Sequence, residues 1–404
     1  PKFESNSTTC RAGTVWRCDQ DGKNLEMVAH NFRNNYECCV NRSGEIWLSD
    51  NDDDGNQQTR ICHVMPGGNY GYHPRGAGQT HWHEEQPGIV HKTMRTGFGS
   101  PTGICFYEGS LLPKKYHGQL LHCDAGPREL RAFLRTPKGA GYELEKEVLV
   151  TSTTDTWFRL ADVCVAPDGS VLMADWYDPG VGGHGMGDWT RGRVYRLTPK
   201  GHKGYKIPEV KMDTNEGILA ALASPCLATR ALAQDAYRQA PVATKKNLYE
   251  LAKKAKSDYP LNPTLVWNDI QVTQKSERVF EGSIELSGKL LTPETFRTFD
   301  AFSYLTATTL ANGNFDKEMH DDLAKADSAT QREALLFIRK LPLTAEFTKS
   351  FYTLAQKYDG TDRFYLAALN IACGTDQTRR NTILADFEKH FPEWNDKVAD
   401  LVWE

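Results

Sequence analysis

An acidic turn between residues 50 and 56 combines the residue types that bind a hard cation. Asp50, Asp52 and Asp54 alternate along the segment DNDDDGN, which Gly55 and Asn56 close. Carboxylate and amide oxygens at alternate positions of a short loop with a glycine are typical calcium ligands. Like charges on a tight turn repel unless something neutralises them. We therefore favour calcium bound by Asp50, Asp52, Asp54 and Asn56 over a solvated acidic turn.

A glycine-rich turn, GGNYGY at residues 67–72, follows the acidic turn closely. Its paired glycines permit backbone conformations with positive φ, and Tyr70 and Tyr72 offer flat aromatic walls to a ligand. Alone the segment is only a turn. Its position beside the acidic turn makes Tyr70 a candidate for cofactor contact.

The segment ADWYDPGVGGHGMGD at residues 174–188 is a second candidate site. Asp175, Asp178 and His184 surround a glycine run at the end of a strand-like sequence. Loops at strand ends often carry ligand-binding and catalytic groups. An aspartate and a histidine could act as base and orienting partner, or could bind a metal. A hydrogen-bonded structural loop explains them equally well. Asp175 and His184 are our catalytic candidates.

Two other groups of polar residues have weaker functional interpretations. His81 and His83 lie beside Glu84, and although a transition-metal site fits them, an exposed polar loop is favoured. His122 and Asp124 flank one residue, so on a strand they share a face. We interpret them as an inward-facing pair that is more often structural than catalytic.

The elements that position these residues are short strands broken by turns. The pattern of a strand, a turn and a strand recurs around Asp21-Gly22, Ser43-Gly44 and Asp168-Gly169, and a final aspartate follows in the last two. Four short strands in roughly 40–50 residues are typical of one propeller blade. Residues 1–205 would then form three to four blades of a partial β-propeller. Because a closed ring usually needs more, we expect the chain to be a processed or partial product, with blades missing before Pro1.

The second half, residues 206–404, is predicted to be helical. Of the 33 glycines, 27 precede residue 205, so the composition changes there and indicates a domain boundary. Amphipathic segments with caps follow at residues 224–239, 292–313, 328–342, 344–360 and 361–374, the first with Ser224 as N-cap. Consecutive helices of this kind bury their apolar stripes against each other, as in a HEAT-like solenoid. An irregular bundle is the alternative.

Composition excludes several classes of function. The net charge is −4 with dispersed signs, which gives no support to nucleic-acid binding. The sequence contains no run of eighteen apolar residues and so predicts no membrane span.

The ten cysteines form neither CxxC pairs nor a CxxCH haem motif. Most are interpreted as buried thiols, Cys38 and Cys39 would face opposite sides of a strand, and Cys10 could pair with Cys18 in an oxidising compartment.

Several long motifs resemble known families. The segment HNFRNNYECCVNRSGEIWLSDNDDDGN followed by GGNYGY resembles the pyrroloquinoline-quinone (PQQ) aldose and sorbosone dehydrogenases. With SPTGICFYEG, HCDAGP, DVCVAPDG and ADWYDPGVGGH, the chain is more similar to the large membrane-bound dehydrogenase family of Planctomycetes and Verrucomicrobia. That family runs propeller, HEAT repeats, then a c-type cytochrome domain. LATRALAQDA, YDGTDRFYLAALNIA and VADLVWE resemble its helical part, and residues 255–325 show little likeness.

The resemblance implies site residues by matched position. Arg33 and Asn34 match the Arg-Asn pair that the quinone enzymes place at the cofactor, although Asn35 replaces a proline. In WFRLADV, Arg159 matches a cofactor-holding arginine, but Ala161 replaces a second one. The resemblance thus assigns Arg33, Asn34, Tyr70 and Arg159 to the cofactor.

The family pattern is also incomplete here. HCDAGP stands where the quinone enzymes carry a lysine, and no residue matches their catalytic histidine. An anionic quinone needs several cations to hold it, and the family's haem motif is absent from this chain.

Two functions follow as hypotheses. The first is a periplasmic or cell-surface oxidoreductase that acts on a sugar or alcohol through PQQ and calcium and passes electrons to a cytochrome. The second is a non-catalytic propeller–HEAT module that binds a glycan or a protein. In either case, a second polypeptide could complete the ring, because bare strand edges invite pairing.

Overall fold

The computed structural model describes residues 12–51, 58–72, 82–181, 190–203, 209–254 and 323–404. The predicted helix at residues 292–313 lies outside these residues. The described part changes from sheets to helices between residues 197 and 215. The predicted order of a strand-rich half and a helical half is therefore confirmed.

The strand-rich half contains four sheets built mainly from neighbouring strands. The strands are β1 Gly13–Arg17, β2 Glu26–Phe32, β3 Cys38–Val40, β4 Ile46–Asp50, β5 Thr59–Val64, β6 Gly68–Asn69, β7 Met94–Gly97, β8 Pro101–Tyr107, β9 Gln119–Asp124, β10 Glu129–Lys138, β11 Gly141–Thr151, β12 Leu160–Val165, β13 Val171–Asp175 and β14 Arg193–Leu197. The sheets have the orders β1-β2-β6, β3-β4-β5-β7, β8-β9-β10-β11 and β12-β13-β14. All pairings are antiparallel except that of β2 with β6.

The three turns predicted from sequence connect the strands as expected. β1 pairs with β2, β3 with β4 and β12 with β13. Gly22, Gly44 and Gly169 have φ values of 77°, 83° and 84° in these turns. Glycine is required there because this left-handed backbone conformation is costly for residues with a Cβ.

Successive sheets pack face to face through two apolar layers. One layer joins Trp47 and Ile61 to Phe133 of the next sheet. The other joins Cys123 to Val163 of the sheet after it. The alternation of side chains along each strand supplies both faces of the middle sheet.

The helical half contains nine helices within the described residues. They are α1 Asn215–Leu222, α2 Leu227–Gln239, α3 Val242–Lys254, α4 Ser328–Ile338, α5 Ala345–Ala355, α6 Arg363–Cys373, α7 Gln377–Leu384, α8 Phe387–His390 and α9 Asp396–Trp403. Side-chain oxygens of Thr344 and Asp362 cap α5 and α6. None of these helices is long and apolar enough to cross a membrane.

The start of α2 differs from the prediction. Its N-cap is Cys226, not Ser224, and no side chain caps it. The Ser224 amide instead donates to the Ala221 carbonyl at 3.1 Å, at the end of α1. Ser224 therefore belongs to the turn between the two helices, where its hydroxyl accepts from the Cys226 amide at 3.2 Å.

One apolar core crosses from the sheets into the helices. Phe32 and Tyr70 of the strand-rich half share it with Leu335 of α4 and Leu366 of α6. The helices thus cover a face of the first two sheets. Lys340 strengthens this contact through an ion pair to Glu26 at 2.9 Å.

The tip of the β10–β11 hairpin docks onto the start of α6. The Ala140 amide donates to Asp362 Oδ2 at 2.6 Å, while Asp362 Oδ1 accepts from the Phe364 and Tyr365 amides at 3.1 and 3.0 Å. The Arg332 guanidinium donates to the Ala140 carbonyl. One aspartate therefore both caps a helix and attaches it to a sheet.

We predict that Asp362→Ala lowers the free energy of unfolding by about 2 kcal/mol, since it removes a cap and a hydrogen bond between the halves. Asp376→Ala is the control, because Asp376 caps α7 through the Arg379 amide at 2.7 Å. It should cost only about 1 kcal/mol. Urea unfolding followed by tryptophan fluorescence measures both, and equal losses would contradict the docking role.

Candidate functional site

A buried aspartate ends the second strand of three successive sheets. These strand-end aspartates are Asp50 on β4, Asp124 on β9 and Asp175 on β13. Their exposures are 0%, 0% and 2%. A buried carboxylate is costly unless donors surround it, so the donors of each show what the three positions do.

Asp50 connects the segment before β3 with strand β5. Its Oδ2 accepts from Arg60 Nε at 3.0 Å and from the Arg33 amide at 3.0 Å. Its Oδ1 accepts from the Asn34 amide at 2.9 Å. Arg60 is fully buried, stacks on Trp82 at 4.4 Å and lies 3.6 Å from a Glu84 oxygen. The guanidinium thus neutralises Asp50.

Asp124 repeats this arrangement in the next sheet. It accepts from Arg131 Nη1 at 2.7 Å and from the Ser100 amide at 2.7 Å. Burial raises its pKa, and Arg131 with the amides of Ser100 and Gly126 opposes that shift. A Cβ on Gly99 would lie 2.4 Å from Asp124 Oδ2, so glycine is needed for this approach.

Asp175 repeats the arrangement a third time. Its Oδ1 accepts from the Arg159 amide at 2.8 Å and the Tyr177 amide at 3.0 Å. Its Oδ2 accepts from Arg193 Nε at 3.2 Å. Tyr177, whose amide contacts Oδ1, adopts φ 58°, a conformation that is uncommon for a residue other than glycine. Asp175, predicted as a catalytic base, therefore has both oxygens engaged in the same way as Asp50 and Asp124.

These contacts place three of the four predicted cofactor residues, Arg33, Asn34 and Arg159, at one end of the sheets. Asp50, Asp124 and Asp175 hold equivalent amides, those of Arg33 and Asn34, Ser100 and Arg159, just before the first strand of each sheet. We call these four residues the rim.

The first strands also touch each other just beyond the rim. Ile104 of β8 donates its amide to Glu37 Oε2 at 2.8 Å, and the Thr102 hydroxyl donates to the Leu160 carbonyl at 2.7 Å. Arg33, Asn34 and Arg159 therefore lie along the same edge of neighbouring sheets.

Arg159 is the rim residue best suited to an anionic ligand. It is 6% exposed, and among the described residues its guanidinium donates to the backbone carbonyls of Phe158, Pro179 and Gly180 at 3.4–3.5 Å. Within the described ranges no carboxylate forms an ion pair with it. Burial, with Arg128 nearby, lowers its pKa, while Asp178 and Asp175 oppose that shift. A buried cation without a close counter-ion favours binding of an anion.

The calcium prediction stays a prediction. Asp52, Asp54 and Asn56 lie outside the described residues, and the oxygens of Asp50 already accept from amides and Arg60. In the part of the chain that the structure describes, no group of three or more metal-ligating side chains is placed to hold an ion. Asp50 would have to release donors before it could bind calcium.

The other predicted site residues divide between the core and undescribed segments. Tyr70 is fully buried, stacks on Phe32 at 4.3 Å and accepts from the Met65 amide at 2.9 Å. Its ring packs inside the turn and has no exposed surface. The contact of Tyr70 with a cofactor stays a prediction. His184 lies outside the described residues. The loop expected to be polar and exposed at His83 and Glu84 is instead buried, with 7% exposure at each.

The rim fits an anionic quinone only in part. Arg159 could hold one carboxylate of PQQ, but the half-buried Ala161 offers no second cation. His122 is fully buried, and burial and Arg131 lower its pKa to about 3, which leaves the ring neutral. Neither of its nitrogens has a hydrogen-bond partner among the described residues. Among the described rim residues, Arg159 is thus the candidate for holding one carboxylate of the quinone.

Comparison with family models gives a match to the strand-rich half. A family model described as a domain of unknown function, DUF7133, matches residues 3–201. No curated protein matches the chain. The match is confined to the strand-rich half.

Solved structures give weak matches. A PQQ-bound aldose sugar dehydrogenase of Streptomyces coelicolor is 18% identical with a TM-score of 0.34, over 46% of this chain and 52% of that chain. The soluble aldose sugar dehydrogenase of Escherichia coli is 19% identical with a TM-score of 0.31, over 39% and 46%. The chain spans about half the length of these structures. At TM-scores below 0.5 they establish neither a shared fold nor a shared activity.

Sequence reasoning missed the arginines that hold the strand-end aspartates. Arg60 lies directly opposite Asp50 in the β4–β5 pairing, and Arg193 lies opposite Asp175 in β13–β14. An arginine within the first three residues of the strand after each final aspartate was the available signal. It indicates a structural ion pair rather than a metal ligand or a base.

We predict that loss of a strand-end carboxylate lowers the free energy of unfolding more when the arginine that pairs with it is more deeply buried. Asp124→Asn leaves Arg131, whose side chain is 2% exposed, with less charge compensation and should cost about 3 kcal/mol of unfolding free energy. Asp175→Asn should cost about 1 kcal/mol, because Arg193 is 37% exposed and also contacts Asp155. Chemical unfolding of both variants tests this order, and a larger loss for Asp175→Asn would reverse it.

Proposed function

We propose that this chain is part of a quinone-dependent oxidoreductase that acts on a sugar or alcohol, with a cofactor-binding edge at the rim. The observation that carries the proposal is the buried guanidinium of Arg159, which forms no ion pair with a carboxylate of the described residues and lies at the same rim as the equivalent segment Arg33–Asn34. A carboxylate-bearing quinone of the PQQ type has the charge that such a cation attracts. The partial propeller and the helical solenoid belong to the same proposal.

The chain's own residues would orient the cofactor and contribute little proton chemistry. When bound, the quinone supplies the hydride acceptor. Arg159 would hold an anionic edge, and the backbone of Arg33 and Asn34 is fixed by Asp50 before any ligand arrives. Such preorganisation lowers the entropic cost of binding. A cytochrome as electron acceptor, calcium at the acidic turn and a periplasmic or surface location complete the proposal.

We predict that the full chain binds PQQ and that Arg159→Gln weakens binding at least ten-fold, because a charge-assisted hydrogen bond contributes about 1.5–3 kcal/mol. Titration calorimetry with PQQ, in the presence of calcium, measures both affinities. Arg17→Gln is the matched control, since Arg17 is 57% exposed on β1 and pairs with Glu26. It should bind like the unaltered chain.

The outcomes separate two functions. Equal weakening by both substitutions would indicate non-specific attraction of an anion and would contradict a site at Arg159. Absence of PQQ binding would favour the second candidate, a non-catalytic module for a glycan or protein partner. The engagement of Asp175 and Asp124 in structural ion pairs favours that candidate.

A further inference from the structure

The helical half contains a cavity that the proposed oxidoreductase site does not use. It lies between α5, α6, α7, α8 and α9 and has a volume of about 250 Å³. Phe351, Tyr352 and Leu366 of its wall are at most 5% exposed and belong to the main apolar core. Leu384 and Val402 also line the cavity, with exposures of 43% and 56%, so one side of it is open to solvent. A small molecule therefore has a way in.

The wall of the cavity is mainly aromatic and aliphatic. Its rings belong to Phe351, Tyr352, Phe387 and Phe391. The centroids of Phe387 and Phe391 are 4.9 Å apart, and those of Tyr352 and Phe391 are 6.3 Å apart. Because an apolar cavity of about 150 Å³ holds a benzene ring, this one accommodates a ring with several further atoms. Such walls bind the apolar body of a ligand, and a few polar groups orient it.

One of the polar groups is a cation whose hydrogen-bond partners are neutral. Arg380 of α7 lines the cavity, and its Nη1 donates to Asn370 Oδ1 at 2.7 Å and to the Gly374 carbonyl at 2.9 Å. These two acceptors fix the guanidinium without neutralising it. No carboxylate of the described residues forms an ion pair with Arg380. A fixed guanidinium of this kind favours a carboxylate as its ligand.

The second polar group is a carboxyl group with an unpaired oxygen. Glu404 follows α9 and lines the same cavity. Its Oε1 is buried and has no hydrogen-bond partner among the described residues. Burial raises the pKa of Glu404, because a carboxylate is costly where donors do not surround it. An ammonium group that reached Oε1 would offset this cost.

We propose that this cavity binds an apolar α-amino acid, with the side chain against the aromatic wall, the carboxylate on Arg380 and the ammonium group on Glu404. The ligand class follows from the three features of the cavity. An apolar acid would leave Glu404 without a partner, and an apolar amine would leave Arg380 without one. None of the lining residues belongs to the rim, so the proposal stands whether or not a quinone binds there.

Ligand-observed NMR titration of the intact chain at about pH 7 tests the site, with free L-phenylalanine as the probe. Three analogues each lack one feature: phenylpropionate lacks the ammonium group, phenylethylamine lacks the carboxylate and glycine lacks the ring. We expect each analogue to bind at least about ten-fold more weakly than L-phenylalanine. Loss of one charge-assisted hydrogen bond or of a buried ring has an effect of about that size.

Two variants assign the charged groups. Arg380→Gln should weaken binding of L-phenylalanine about ten-fold and leave that of phenylethylamine unchanged. Glu404→Gln should weaken binding of L-phenylalanine about ten-fold and leave that of phenylpropionate unchanged. Lys389→Gln is the matched control, since Lys389 is 75% exposed on α8, pairs with Asp386 and does not line the cavity. It should bind L-phenylalanine like the unaltered chain.

The site is contradicted if L-phenylalanine does not bind, or if Lys389→Gln weakens its binding as much as Arg380→Gln does. Equal affinities for L-phenylalanine and either charged analogue would overturn the amino-acid class. Circular dichroism checks that each variant is folded. If Arg380→Gln does not fold, because Arg380 also bonds Asn370 and Gly374, Glu404→Gln and the analogues still decide the question.

Discussion

The burial of one carboxylate at the end of the second strand is the constraint on which the strand-rich half depends. Asp50, Asp124 and Asp175 each need several donors because their side chains are buried. Each receives an arginine from the following strand and amides from the segment before the first strand. Three strands of a sheet are thereby fixed at the same level, and the rim appears at that level in all three sheets.

Packing of the helices onto the first sheets explains why the two halves form one core. Phe32 and Tyr70 cannot be covered by their own short sheet, and α4 and α6 supply the missing apolar surface. Asp362 and Arg332 then satisfy both backbone groups of Ala140 at the hairpin tip. Apolar burial provides most of the contact energy, and the polar contacts fix its register.

Aspartates and arginines lie together at the end of the sheets that carries the rim. The strand-end aspartates are neutralised by arginines, so they contribute structure without a free negative charge. Arg159 remains as a buried cation at the rim, where its guanidinium contacts backbone carbonyls. The proposed binding of an anion depends on this charge.

The sequence alone determined the turns at Gly22, Gly44 and Gly169 and the change from sheets to helices, because these depend on backbone preferences and on hydrophobic period. It did not determine the role of the acidic strand ends, since Asp175 has the same residue type whether it acts as a base or binds Arg193. Only the tertiary structure brings Arg193 opposite Asp175. Contacts between residues distant in the chain decide which carboxylates are neutralised and which could act on a ligand.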